Sequence, residues 1–147
     1  MPQDNLNKRK ETKNEIETFL ARVKYAIEYG RCQITLKFDR RSEESKKIEF
    51  TNRYTINELF PNENPVETMK RELTKLSVKN YIETVKDLDF PELSELRVFG
   101  TKYSADVFIK FRVVLANKLA AGNNTIFVLS FHFAEYPFDD KSFPYKE

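Results

Sequence analysis

Residues 106–115 read DVFIKFRVVL and residues 124–134 read NTIFVLSFHFA. Both are rich in β-branched and aromatic side chains, and both alternate with period two, as half-buried strands do. In the first, Val107, Ile109, Phe111, Val113 and Leu115 are uniformly apolar, and the even positions begin Phe108, Lys110, Arg112. In the second, Phe127, Leu129, Phe131 and Phe133 form the apolar odd set, and Ile126, Val128, Ser130 and His132 lie between them. With 116–124 as a hairpin loop, Lys110 falls across from Ser130 and Phe108 across from His132. Facing residues of an antiparallel pair share one side of the sheet, so only a change of parity would separate this set.

The next strand upstream is ELRVFGTK (95–102). A two-residue turn at Tyr103 and Ser104 sets Arg97 opposite Lys110 and Phe99 opposite Phe108, with Leu96–Phe111 and Val98–Ile109 on the core side. The other face then gathers Arg97, Phe99, Phe108, Lys110, Arg112, Ser130 and His132. Cations interleaved with aromatic rings and one imidazole suit a ligand with a phosphate backbone and bases. The plain alternative is the solvated face that antiparallel sheets commonly carry, where Lys and Arg are ordinary.

Toward the N-terminus the period is helical. Thr12 and Glu15 form a capping box, Ile16, Phe19, Leu20, Val23 and Ile27 follow on one face, and Gly30 stands at the C-cap, predicting a helix over 13–29. CQITLKF (32–38) alternates as a strand, DRRSEESKK (39–47) is a charged loop, and IEFTNR (48–53) reads as a short returning strand. Thr55 and Glu58 can cap a single helical turn. Asn64 as N-cap with Pro65 behind it predicts a second helix over 65–76. NYIETVKDL (80–88) reads as extended. Residues 1–11 are polar and are expected to be flexible, and 135–147, with two prolines, to form an irregular surface tail. The order α, β, α and then consecutive strands predicts one α+β domain over 1–147, a mainly antiparallel sheet with helices packed on one face.

The chain has 147 residues, 40% of them apolar, and 25 basic against 23 acidic groups leave a formal charge of +2. Nucleic-acid binding therefore needs a local basic patch, since the chain as a whole is not basic. Cys32 is the one cysteine and His132 the one histidine. An internal disulfide and a His/Cys metal site are excluded. No run is apolar enough for a membrane span, and the start lacks a secretory h-region, so a cytoplasmic protein without a cofactor or membrane partner is expected.

From Leu76 to Phe138 the chain resembles the C-terminal part of the MqsR-type toxins, messenger-RNA interferases of bacterial toxin–antitoxin pairs. The resemblance rests on LSVKNYI (76–82), LRVFG (96–100), DVFIKFRVV (106–114) and LSFHFAEYPF (129–138), in that order and at similar spacing. It covers roughly half the chain and implies the RelE-like fold, a toxin-type endoribonuclease activity on RNA, and a cognate antitoxin as partner. His132 falls at the family's reactive strand position after a Ser-Phe pair. Phe108 replaces a strand tyrosine, and Tyr81–Ile82 replaces a Tyr-Lys pair.

The cleavage that the resemblance implies is metal-independent. It needs a base for the 2′-hydroxyl, an acid for the leaving 5′-oxygen and cations where phosphoryl charge grows. His132, Lys110 and Tyr81 are the candidate catalytic residues, and Arg97, Arg112, Phe99 and Phe108 the candidate RNA-binding residues. Glu135 is placed to orient the imidazole, and His132 is expected to stand exposed in a shallow groove within reach of Lys110. The alternatives are a non-catalytic RNA- or protein-binding relative carried by a mobile element, favoured by Phe108 and Ile82, and a plain partner-binding domain whose polar sheet face is simply solvated.

Overall fold

The computed structural model describes residues 7–29, 32–39, 46–115 and 124–147. Helix α1 (Lys13–Glu28) begins at Thr12, whose side chain accepts from Glu15 N while the Glu15 carboxylate accepts from Thr12 N. Ile16, Phe19, Leu20 and Val23 form its buried stripe. The cap expected at Gly30 lies outside the described residues, as does the hairpin loop 116–123. Helix α3 (Pro65–Leu73) starts at Asn64 with proline in its first turn and stops three residues short of the expected end.

The strands are β1 (Lys8–Arg9), β2 (Cys32–Leu36), β3 (Tyr81–Val85), β4 (Leu96–Lys102), β5 (Asp106–Val114) and β6 (Asn124–Phe133). They form one six-stranded sheet in the order β1-β3-β4-β5-β6-β2. All neighbours are antiparallel except β2 and β6, which run parallel with Cys32 against Asn124 and Leu36 against Val128. The architecture is α+β. Helices and sheet share one apolar core that includes Phe19, Val23, Ile56, Met69, Leu73, Phe99, Ile109, Phe111 and Phe131. No helix among the described residues is long and apolar enough to cross a membrane.

Four expectations are corrected. Residues 48–53 form a 3-10 turn (Ile48–Phe50) leading into helix α2 (Asn52–Leu59), not a strand. Thr51 caps α2 by accepting from Tyr54 N, and α2 is then held by the edge of β6. Asn52 donates to Leu129 O and accepts from Phe131 N, and Thr55 accepts from Phe133 N. Two side chains thus satisfy the strand edge where β2 has ended, and the sheet is not open there.

Second, residues 7–11 are tied down. Lys8 and Arg9 pair with Val85 and Thr84, and the Glu11 carboxylate is only 4% exposed. Arg97 grips that carboxylate through Nε at 2.7 Å and Nη2 at 3.1 Å, and Thr84 Oγ1 donates to it at 2.6 Å. The Tyr145 hydroxyl donates to Glu11 O, so the irregular tail is stitched to the same point.

Third, the β4–β5 connection is one residue longer than a two-residue turn. Lys102 pairs with Asp106, which puts Val98 opposite Lys110 and Gly100 opposite Phe108. Arg97 and Phe99 therefore face Phe111 and Ile109 on the core side. One residue of loop reverses the parity of the whole strand.

Fourth, β5 and β6 pair as expected from Val107–Phe133 to Lys110–Ser130, but the register then shifts and Phe111 meets Val128. Leu129 is the extra residue of a β-bulge. Beyond it, Ile126 and Val128 enter the core and Phe127 turns to the other face. Of the expected core, Phe111 and Phe131 are fully buried and Val113 and Phe133 partly so. Leu129 instead lies beside Phe108 and Lys110.

Candidate functional site

The sheet face away from α1 carries two rows across neighbouring strands. One is His132–Phe108–Gly100, the other Ser130–Lys110–Val98. The Phe108 ring stacks on the imidazole with centroids 5.4 Å apart and 19° between planes. Lys110 Nζ sits 5.9 Å from the centre of the same ring, within cation–π range. His132, Phe108 and Lys110 are thus brought together, as the parity of the two strands predicted.

His132 is not exposed in a shallow groove. It is 9% exposed, because Phe108 covers one face of the ring and the Lys46 side chain reaches its edge. Nε2 lies 3.1 Å from Lys46 Nζ, and Nδ1 lies 3.0 Å from Phe133 O. An ammonium can only donate and a carbonyl can only accept, which assigns the tautomer: Nδ1 carries the proton and Nε2 the lone pair. The neutral ring satisfies both contacts at once. Its orientation is set by the Phe133 carbonyl and not, as expected, by Glu135.

Among the described residues, hollows lie around these rows. A cleft of about 400 Å³ is lined by Lys46, Lys47, Phe50, Glu135 and Tyr136, with Lys46 as the wall it shares with His132. A second of about 400 Å³ lies over Phe108, Lys110 and Leu129, under the segment Lys86–Asp89. A third of about 530 Å³ lies at the Gly100 end, walled by Phe138 and Phe143. Glu135 is therefore at the site, but as a carboxylate across the first cleft from two lysines.

The other predicted site residues go elsewhere. Arg112 is on the correct face but nearly buried, with Nη1 2.6 Å from Asp87 and the guanidinium 4.6 Å over Phe127. Burial pushes the Asp87 carboxyl up, and the hydrogen bond and charge of Arg112, with the Phe90 N–H, outweigh it, so the group is held below its usual value. Arg97 is spent on Glu11 and stacks 4.8 Å over Phe19. Phe99 is fully buried between Phe19, Phe111 and Tyr81. Tyr81 is fully buried on the core side, with its hydroxyl 2.7 Å from Thr84 Oγ1 and accepting from Glu11 N. Burial pushes the pKa of its phenol up, further from neutrality. None of these four is presented to a ligand on the His132 face.

Lys46, Lys47 and Tyr136 are the site residues that sequence reading missed. The lysines end a charged loop with no periodicity to place them. Tyr136 follows the histidine strand within EYPF, and 77% of it is exposed at the cleft. Among the described residues no group of three or more His, Cys, Asp or Glu side chains is arranged to hold a metal ion. No family model, no curated protein and no solved structure matches the chain.

Proposed function

We propose that the chain is a metal-independent endoribonuclease, a messenger-RNA interferase on a RelE-like sheet that serves as the toxin of a cytoplasmic toxin–antitoxin pair. The observation that carries this reading is the position of His132 Nε2, 3.1 Å from the cleft-lining Lys46 ammonium, toward which it presents its lone pair. A phosphate that draws the Lys46 ammonium off Nε2 frees that lone pair and sets the adjacent ribose next to it. His132 takes the 2′-hydroxyl proton, the 2′-oxygen attacks phosphorus, and the P–O5′ bond breaks to leave a 2′,3′-cyclic phosphate. The 5′-oxygen leaves with a proton from the Tyr136 phenol at the cleft mouth, and Lys46 and Lys47 stabilise the charge that grows on the phosphoryl oxygens. Lys110 acts one layer back, holding Phe108 against the imidazole.

A second reading has its own observation. Phe108 has no hydroxyl, and the Tyr81 hydroxyl is consumed in the core. A protein that has kept the sheet and lost the chemistry would bind RNA or a protein and cut nothing. Induced expression in a bacterium separates the two. The nuclease reading expects growth arrest that His132→Ala and Lys46→Ala both relieve while the protein accumulates in folded form. Normal growth with abundant, folded wild-type protein supports the binding reading.

A further inference from the structure

The hollow at the Gly100 end of the histidine row has no part in the chemistry above. It lies between the 3-10 turn Val78–Asn80, the end of β4 and the C-terminal segment. Its cations are Lys79, Lys102 and Lys146, and its acids are Asp106 and Asp140. The acids are engaged: Asp106 accepts from Phe138 N at 3.0 Å, and Asp140 pairs with Lys146 at 2.5 Å. Lys79 and Lys102 are exposed, and neither ammonium has an ion pair among the described residues. Two rings complete the wall, Phe138 and Phe143, with centroids 5.5 Å apart and planes at 89°.

The wall is fixed by the bare backbone of Gly100. A Cβ there would stand 2.7 Å from Phe138 Cε2 and 3.1 Å from Ile82 Cδ1, so only glycine lets Phe138 lie on the strand. Gly100 is in the same cross-strand row as Phe108 and His132. Two strand spacings, about 10 Å, separate its backbone from that of His132. The hollow is therefore the far end of the surface on which the imidazole sits.

We infer that this hollow binds one nucleotide unit of single-stranded RNA away from the scissile bond, its phosphate on Lys79 and Lys102 and its base against Phe138 and Phe143. The inference rests on the nuclease reading for its substrate. Cations along a backbone track with aromatic faces for bases are the two components of sequence-tolerant single-strand binding. A strand crossing β4, β5 and β6 along the row would run from this hollow past Phe108 to His132.

The test is fluorescence anisotropy with a labelled, fully 2′-O-methylated octaribonucleotide, which binds and cannot be cut. Wild type should bind it. Lys79→Ala combined with Lys102→Ala, both exposed, should weaken binding at least about tenfold and make the salt slope shallower by about 1.4, two single-strand phosphates' worth. Phe143→Leu should weaken binding several-fold with less change in slope. A double variant that binds like wild type overturns the inference, as does a wild type that binds no oligonucleotide. Binding of free uridine or adenosine monophosphate that depends on Lys79 and Lys102, without binding of the strand, also overturns it. Lysine-dependent strand binding by a protein that never cuts RNA leaves this site standing and sinks only the nuclease reading.

Discussion

Leu129 and Phe131 are two residues apart, and simple alternation sends both into the core. The bulge at Leu129 separates them: Phe131 is fully buried against Phe60 and Tyr103, and Leu129 is half-buried beside Lys110. Phe131→Ala should cost about 3–5 kcal/mol in denaturant melts, the range for deleting a buried ring. Leu129→Ala should cost clearly less than half of that, and equal losses would mean that the bulge is misplaced. A bulge leaves no mark in a sequence that is apolar at both parities, as TIFVL is. The pairing of Phe108 with His132 was legible because Ser130 and His132 are polar and cannot trade places with Phe131. The single added loop residue at 103–105 was not legible, and it removed Arg97 and Phe99 from the site.

At the scale of elements, α2 shows why IEFTNR was misread. Its apolar–polar alternation is real, but Asn52 and Thr55 have uses that only the folded edge of β6 reveals. Asn52→Ala strands the Phe131 N–H and frees Leu129 O, which should cost about 1–3 kcal/mol. Amide exchange at Phe131 and Phe133 should quicken well before that of β4. Unchanged protection at Phe131 would show that α2 does not guard this edge. Helix α1, by contrast, was readable in full up to its last turn, since the capping box and the apolar stripe are local signals. The parallel pairing of β2 with β6 joins segments some ninety positions apart, and nothing local encodes it.

At the scale of the molecule, three buried carboxylates among the described residues lock separate segments in place. Glu11 holds the N-terminal strand to Arg97, Glu72 holds α3 to Tyr103 after β4, and Asp87 holds the segment after β3 to Arg112. In each, burial pushes the carboxyl up and the hydrogen bonds and cations outweigh it, leaving it below its ordinary value. A group lowered in the folded state adds stability above its unfolded value, near 4 for these side chains, and loses it as pH falls through the folded one. The contribution of these three carboxylates should therefore be flat from neutral pH to about 5 and fall steeply below about 4. Glu11→Gln should lower the neutral plateau and make the acid limb shallower. An acid limb unchanged by Glu11→Gln would remove this carboxylate from the account.

The sheet, its helices and its core would fold as described whether or not the imidazole works, so the central claim rests on chemistry at one atom, Nε2 of His132. The direct measurement is single-turnover cleavage of a short single-stranded RNA by purified protein in excess EDTA, with the product ends identified by mass. The account predicts 2′,3′-cyclic phosphate and 5′-hydroxyl ends from the wild type. It predicts a rate at least about a hundredfold lower for His132→Ala, the scale of a lost general base. A folded His132→Ala protein that cuts at the wild-type rate, or a wild type that leaves the RNA intact, would contradict it.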